Sequence, residues 1–219
     1  MITILNKSNS IFKQYLAEIR DQDVQKDSMR FRKNLERMGA IIAYEISKTL
    51  QYQPQQIQTP LGIAEETVPT DFPVITSILR AGLPIHQGML SIFDKSPNGF
   101  ITAYRNYEKD GTFNINLEYV SCPDLKDKIL IISDAMLASG MSMELAYRAL
   151  LQKGQPRHTY IVALIASKEG VNYLRKKLPE NKVSIWIGAL DDELTVKSYI
   201  VPGLGDAGDL AYGEKIGGH

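Results

Sequence analysis

Asp134 is followed by a run of small and hydroxyl-bearing residues whose types could bind phosphate. Gly140 would let the main chain approach an anion closely, and Ser139 and Ser142 can donate hydroxyl hydrogen bonds. N–H groups at the start of a following helix would add partial positive charge at the same place. A carboxylate cannot share a phosphate pocket, so Asp134 is expected to face hydroxyl groups or a metal-bound ligand. The pattern predicts a ligand that carries a phosphate beside a sugar-like group.

The flanking residues predict the strand and the helix that would present this loop. Residues 129–132 form a continuous apolar run, which is typical of a buried strand in a parallel sheet. Apolar residues then recur at helical spacing, with Glu144 and Arg148 on the polar side. Ser142 is the expected N-cap of this helix, and Gly154 lies just past its end. An ordinary strand–loop–helix connection uses the same residue types, so the pattern alone leaves phosphate binding and a structural turn open.

Two further stretches could take part in binding. Arg80 follows a predicted buried strand at residues 73–79, where its forked guanidinium could hold phosphate or pyrophosphate, or form a structural ion pair. Residues 203–208 match G-x-G-x-x-G, but a dinucleotide site also needs a following helix and an acid about 20 residues further on. Neither is expected here, so we reject a dinucleotide site. Such a segment can instead fold its main chain over a flat ligand, or it is a plain turn.

The rest of the chain alternates between strand and helix patterns, which predicts an α/β domain over residues 1–219 with a mostly parallel sheet. Residues 1–53 form a mostly helical N-terminal region, whose charges are read as a solvated face. Residues 51–70 read as a connection or a small edge-strand excursion. Strands at 100–105 and 113–119 flank a turn at 106–111, and this hairpin could act as a lid. The other expected elements are helices at 10–20, 27–50 and 168–178, a helix with Pro84 near its first turn that ends at about residue 93, and strands at 159–166, 183–187 and 199–201.

Composition restricts the partners. Basic and acidic residues number 25 each, which gives no case for a nucleic-acid or polybasic membrane-binding surface. The single cysteine, Cys122, suits a reducing compartment, and no apolar run approaches a membrane span, so a soluble, cytoplasmic protein is expected. His86, His158 and His219 share no metal-ligand spacing and are read as structural or surface residues. No protein-held metal site is expected.

Three motifs carry a resemblance to a known family. Residues 133–142 (SDAMLASGMS) are similar to the loop that binds 5-phosphoribosyl 1-pyrophosphate (PRPP) in type I phosphoribosyltransferases. The amino-acid sequence of this loop most resembles that of the uracil-specific enzymes. Residues 78–82 (ILRAG) and 199–209 (YIVPGLGDAGD) match the same family in the same order. Weaker similarity extends from about residue 19 to residue 213. The chain therefore resembles a member of the uracil phosphoribosyltransferase family.

The resemblance implies a fold and an activity. The fold would be type I phosphoribosyltransferase-like, a mostly parallel sheet flanked by helices, with N-terminal helices and a β-hairpin lid. The activity would be transfer of the 5-phosphoribosyl group from PRPP to uracil, which gives UMP and pyrophosphate in pyrimidine salvage. Mg²⁺ would be bound through PRPP. The protein would be a homodimer or higher homo-oligomer with subunit contacts in residues 1–53, and an allosteric nucleotide stays open.

The resemblance also assigns residues to the site. The catalytic groups would be Asp134, Arg105 and Asp206, with pyrophosphate at Arg80 and Arg105 and the ribose hydroxyls at Asp134. Residues 199–213 would form the base-binding segment, in which Ile200, Gly205, Asp206 and Ala207 contact uracil. PRPP would be contacted by Arg80, Arg105, Asp206 and the whole loop, which comprises Asp134, Ala135, Met136, Leu137, Ala138, Ser139, Gly140, Met141 and Ser142, with the 5′-phosphate at residues 138–142.

Four positions depart from the family pattern. Ala135 replaces a proline, Met141 a second glycine, Leu210 an arginine, and Asn106 the acid that follows the lid arginine. Two alternatives are therefore kept. One is a phosphoribosyltransferase for another base, and the other is a non-catalytic sensor of PRPP or a nucleotide. A regulatory RNA-binding protein is disfavoured by the balanced charge.

Overall fold

The computed structural model describes residues 1–107 and 113–215, with side chains for residues 1–102 and 118–215. The described helices are α1 (Phe12–Arg20), α2 (Ser28–Ser47), α3 (Leu83–Leu90), α4 (Met141–Leu150), α5 (Lys168–Lys177) and α6 (Ala207–Tyr212). The described strands are β1 (Ile2–Ile4), β2 (Tyr52–Thr59), β3 (Gly62–Pro69), β4 (Val74–Leu79), β5 (Asn98–Tyr107), β6 (Phe113–Ser121), β7 (Ile129–Leu137), β8 (His158–Ser167), β9 (Val183–Asp191), β10 (Glu193–Leu194) and β11 (Ile200–Val201).

A seven-stranded sheet forms the centre of the fold, in the order β1-β9-β8-β7-β4-β5-β6. Every neighbouring pair is parallel except β5 and β6, which run antiparallel. The predicted α/β class with a mostly parallel sheet is confirmed. In such a sheet the carboxyl ends of the strands share one edge, where the following loops can meet.

Alternate residues of β7 pack into cores on opposite faces of this sheet, as its continuous apolar run requires. Ile129 and Ile131 join the core that holds side chains of α1, α2 and α3, whereas Leu130 and Ile132 join the core that holds α4 and α5. Burial of each such side chain contributes roughly 2 kcal/mol. The central strand is therefore fixed from both faces, and so is the point at which it ends.

β7 is longer than the apolar run at residues 129–132 predicts. It remains paired with β8 as far as Leu137, which lies opposite Ala166, so residues 134–137 are strand and not loop. The prediction of Ser142 as N-cap is also wrong. α4 begins at Met141, and its N-cap is Gly140, which has a φ of +84° that favours glycine. The connection between β7 and α4 is correspondingly short.

Three other regions differ from their predictions. The N-terminal region also contains β1. This strand could not be predicted, because three residues are too few to show a recognisable period. Residues 51–70 form a separate two-stranded antiparallel hairpin of β2 and β3. A short helix, α6, begins at Ala207 within the glycine-rich segment at 203–208, contrary to expectation. Among the described strands, β11 before that segment pairs with β10 alone, so no described strand of the central sheet leads into the segment as a dinucleotide fold requires.

None of the helices among residues 1–107 and 113–215 combines the length and the apolar character that a membrane span requires.

Candidate functional site

The candidate site lies where the adjacent strands β4 and β7 end. β4 stops at Leu79, immediately before Arg80, and β7 carries Asp134 near its carboxyl end. Ser77 and Ser133 are partners in the register that joins the two strands, so the sheet sets Arg80 and Asp134 at the same edge. The Asp134 carboxylate is partly exposed and accepts a hydrogen bond from the Ala135 N–H at 2.7 Å.

The start of α4 presents main-chain N–H groups at this edge. Gly140 occupies the N-cap position, and no side chain of that residue can cap the helix. Ser139 Oγ accepts the Met141 N–H only over a long 3.5 Å. Ser139, Met141 and Ser142 are all partly exposed. A helix start with exposed hydroxyls and no N-cap side chain is an arrangement that suits a phosphate group.

The loop before α4 rests on the first turn of α5. Ser167 Oγ donates to the Ala138 carbonyl at 2.6 Å and accepts the Gly170 N–H at 2.8 Å. A Cβ atom on Gly170 would overlap the Ala138 carbonyl, so only glycine permits this approach. Ser167 is the N-cap of α5, a position its place before a helical pattern could have indicated. The need for Gly170 could not be read from the sequence, since it comes from a contact with residue 138.

Glu144 is buried, although the sequence places it on the polar side of α4. Its carboxylate accepts the Tyr173 hydroxyl and two N–H groups of Arg148, at 2.8 and 2.9 Å. Burial by itself would raise the pKa of Glu144, but the hydrogen bonds from Tyr173 and Arg148 outweigh it and lower the pKa. An ionised Glu144 thus joins α4 to α5 behind the loop.

Arg80 contacts the C-terminal segment. Its Nη2 donates to Asp209 Oδ1 at 2.9 Å and to the Gly213 carbonyl at 3.0 Å. Its Nε is buried and has no hydrogen-bond partner in the described part of the chain. The motif at residues 78–82 and the motif at residues 199–209 therefore meet through a direct ion pair, as expected if they form one site. α2 supports the same segment, because Arg32 donates to the Ala211 carbonyl at 2.6 Å.

The residues expected to contact the base differ in exposure. Ile200 and Ala207 are buried, at 4% and 3% exposure, so their side chains form the floor of the segment. Gly205 is exposed with a φ of +94°, and Asp206 is partly exposed. Asp206 is the N-cap of α6 and accepts the Asp209 N–H at 3.0 Å. The segment offers main-chain groups above an apolar floor.

Ala135 and Leu137 are placed differently from the rest of the predicted PRPP loop. Both are buried in β7, at 0% and 1% exposure. Met136, between them, and Ala138 are partly exposed. Of the departures from the family pattern, Ala135 thus lies inside a paired strand, where the sheet restrains the backbone.

A polar chain runs from the exposed Asn98 through the buried side chains of His86 and Ser77 to Ser133, the residue before Asp134. Asn98 Nδ2 donates to the Ser96 carbonyl, which leaves Asn98 Oδ1 to accept from His86 Nε2 at 2.6 Å. His86 Nδ1 must then accept from Ser77 Oγ at 2.9 Å, and Ser77 Oγ accepts from Ser133 Oγ at 2.5 Å. His86 is structural, as the sequence predicts, and the chain of hydrogen bonds defines its tautomer.

We expect His86 to make the protein less stable in mild acid. Burial lowers its pKa, and the hydrogen bond to Asn98 opposes this only in part. As pH falls below about 6.5, the unfolded chain takes up a proton that the folded chain excludes, so the free energy of unfolding decreases. Denaturant unfolding at about pH 7.5 and about pH 5.5 measures this loss. A His86→Gln variant should show a smaller loss. An equal loss in both proteins would assign the effect to other groups, such as His158, whose pKa burial also lowers.

The predicted lid falls largely outside the described residues. The backbones of β5 and β6 pair, but β5 continues through Asn106 and Tyr107, which the sequence assigns to the turn. Residues 108–112 and the Arg105 side chain lie outside the description. The roles of Arg105 and of the turn at 106–111 stay predictions.

A cavity of about 470 Å³ between α1 and the start of α2 contains none of the predicted site residues. Its acidic lining includes Glu18, whose pKa is lowered to about 2 by hydrogen bonds from Gln14, Asn34 and Arg30. Glu18 is thus already satisfied by protein groups, and we place the candidate site at the sheet edge. Within residues 1–107 and 113–215, no three His, Cys, Asp or Glu side chains stand close enough to hold a metal ion.

Fold and site together define a class: an α/β protein whose carboxyl sheet edge is arranged as in proteins that bind phosphorylated ligands. The uracil phosphoribosyltransferase family model matches residues 6–214. The chain belongs to the uracil phosphoribosyltransferase family, so the resemblance of its three motifs to that family is confirmed.

Individual relatives agree with this membership. A protein of Porphyromonas gingivalis named uracil phosphoribosyltransferase is 52% identical over 212 residues, which cover 97% of this chain and 98% of the relative. One of Pyrococcus furiosus with the same name is 35% identical, over 92% of this chain and 85% of the relative. Among solved structures, the AQ2163 protein of Aquifex aeolicus matches with a TM-score of 0.88 at 32% identity, covering 99% of this chain and all of that one.

Proposed function

We propose that the protein transfers the 5-phosphoribosyl group from PRPP to a ring nitrogen of uracil, which yields UMP and pyrophosphate. The observation that carries this proposal is the meeting of three motifs, at residues 78–82, 133–142 and 199–209, at one sheet edge of a chain from this family. In this reaction the bond from the sugar carbon to pyrophosphate breaks, a bond to the base nitrogen forms, and that nitrogen loses its proton.

The PRPP side of the site would be held by three groups. The start of α4, residues 138–142, would bind the 5′-phosphate through main-chain N–H groups and the hydroxyls of Ser139 and Ser142. Asp134 would accept hydrogen bonds from the ribose hydroxyls. Arg80 would bind pyrophosphate with its guanidinium, whose Nη2 also pairs with Asp209. Ala135 and Leu137, being buried, would shape the strand without contacting PRPP through polar groups.

The base would lie against residues 199–213. Ile200 and Ala207 would form the apolar floor, while Gly205 and Asp206 would offer main-chain groups to the polar edge of uracil. The chemistry needs little covalent help, since positive charge builds on the sugar as pyrophosphate leaves. Positioning of the base, neutralisation of the leaving group and exclusion of water would provide the rate.

Magnesium fits this site only as a partner of PRPP. Mg²⁺ keeps several waters and binds through one or two carboxylates and substrate phosphates, and Asp134 and Asp206 are the carboxylates at hand. When bound it would neutralise pyrophosphate oxygens.

We further propose that Arg105 contacts PRPP from the lid, that residues 1–219 act as one domain, and that the protein works in the cytoplasm as a homodimer or larger assembly.

Pyrophosphate release tests the function. With PRPP and Mg²⁺, we expect release that depends on uracil, and none with cytosine, hypoxanthine, orotate or no base. Release with another base would retain the chemistry and change the substrate. If the protein binds PRPP but releases no pyrophosphate with any base, the proposed enzymatic activity is contradicted. That result would support the alternative of a non-catalytic sensor of PRPP or a nucleotide.

A further inference from the structure

Arg20 and Asp191 form an ion pair that encloses one residue of the C-terminal segment. Arg20 Nη2 and Nη1 donate to the two carboxylate oxygens of Asp191 at 2.7 and 2.8 Å. Arg20 Nη1 also donates to the Gly203 carbonyl at 2.9 Å, and Asp191 Oδ2 accepts the Gly203 N–H at 2.9 Å. The two side chains thus satisfy both main-chain polar groups of Gly203.

The pair is largely removed from water. The Asp191 side chain is 7% exposed and that of Arg20 is 22% exposed. A planar guanidinium can span a carboxylate and a carbonyl at once, which a lysine ammonium cannot do with the same geometry. Gly203 itself has a φ of +55°, and a Cβ atom there would overlap the Ile200 carbonyl. The turn from Ile200 to Gly203 is therefore tightly closed and fixed from outside by two charges.

The position of this turn connects it to the base. Asp191 is the last residue of β9 and Arg20 the last of α1, so both arise from elements fixed by the core. Gly203 lies two residues before Gly205 in the proposed base-binding segment. In the described residues the hydrogen bonds of the pair converge on Gly203, whereas the PRPP loop is held separately by Ser167.

We propose that the Arg20–Asp191 pair positions the base-binding segment and affects the affinity for the base more than the affinity for PRPP. This inference rests on the proposed function. A role in stability alone is a poor explanation of such a pair, because desolvation cancels much of the attraction between buried charges. The contacts with Gly203 define instead where a main-chain turn must lie. Arg20 and Asp191 act through that turn and are positioning residues.

The experiment compares three variants with the wild-type protein. Asp191→Asn removes the negative charge of the pair. Arg20→Lys keeps the positive charge but loses the planar guanidinium that donates to Asp191 and Gly203 together. Asp71→Asn is the control, since it breaks the ion pair of Asp71 with Arg157, formed at 2.7 Å outside the site. For each protein we would measure the KM for uracil, kcat, PRPP affinity by calorimetry and the melting temperature.

We expect both Asp191→Asn and Arg20→Lys to raise the KM for uracil, on the order of 10- to 100-fold for the former, because small displacements of a positioning element have effects of that size. PRPP affinity should change much less than the KM for uracil, and retained PRPP binding also shows that the variants fold. Asp71→Asn should match the wild type in both constants.

Three outcomes would overturn the inference. They are an unchanged KM for uracil despite a lower melting temperature, an equal loss of PRPP affinity, and full retention of function by Arg20→Lys, which would mean that charge alone matters. Pyrophosphate release by the wild-type protein tests the proposed function separately from the variants, which test the role of the ion pair. A wild type that uses another base keeps the inference for that base. One that uses no base overturns the function and the inference together.

Discussion

Asp134→Asn is expected to lower kcat/KM for PRPP by about 100-fold or more, because two charge-assisted hydrogen bonds to sugar hydroxyls would each lose about 1.5–3 kcal/mol. The asparagine side chain has the same shape and can still accept the Ala135 N–H that orients Asp134. It offers one acceptor oxygen in place of two and carries no charge. The fold should therefore survive while ribose binding is lost.

Steady-state kinetics with varied PRPP would measure this effect, and a melting curve would verify the fold. Asp124→Asn is the matched control. Asp124 also accepts a nearby main-chain N–H, that of Lys126 at 3.1 Å, but it lies in the loop that precedes β7, at the opposite end of the strand from Asp134. Asp124→Asn should behave as wild type. Undiminished turnover by Asp134→Asn would remove Asp134 from the proposed site.

Gly170→Ala should have an effect of similar size from a residue that does not touch the ligand. Helix propensity by itself favours this change by about 1 kcal/mol, since Gly170 lies within α5. The new Cβ atom, however, would overlap the Ala138 carbonyl, and overpacking of this kind costs roughly 1–3 kcal/mol. The steric term is the larger, so either the helix or the loop must move.

The loop is the part that gives way most easily, because Ala138 and Ser139 are partly exposed and α5 is anchored in the core by Val171 and Leu174. A displacement of about 1 Å at the phosphate is expected to reduce kcat/KM for PRPP by on the order of 100-fold. PRPP calorimetry and a melting curve would measure it. Glu169→Ala, an exposed neighbour in the same helix, should be close to neutral. If the Gly170→Ala protein binds PRPP normally and has a higher melting temperature, the gain in helix propensity outweighs the steric overlap with the Ala138 carbonyl, and the prediction is wrong.

The strands and helices that carry the site follow from local patterns in the sequence. The apolar run of β7 and the helical period of α4 identify the central unit correctly, because both patterns report burial against the sheet. The boundary between β7 and α4 differs from its prediction. Nothing near Asp134 indicates that β8 keeps the strand paired up to Leu137, and a helix that starts from a left-handed Gly140 needs no serine at its N-cap.

The supporting contacts of the site could not be predicted, since they join residues far apart in the chain. Arg20 and Asp191 are separated by 171 positions, and each alone resembles any charged residue at the end of an element. Glu144 looked solvated because its partner Tyr173 comes from another helix. The resemblance to a family supplied the motifs that contact ligands. Only the three-dimensional arrangement reveals what holds those motifs in place.

The pairing of β1 with β9 has a consequence for the growing polypeptide. Ile2 lies opposite Ile185, so the first strand has no place in the sheet until about 180 further residues have been made, on the order of ten seconds or more at ribosomal speed. Until then β8 ends the sheet as an open, apolar edge, and Arg20 lacks its carboxylate. A nascent chain halted before Val183 would thus expose a surface prone to pairing with other chains.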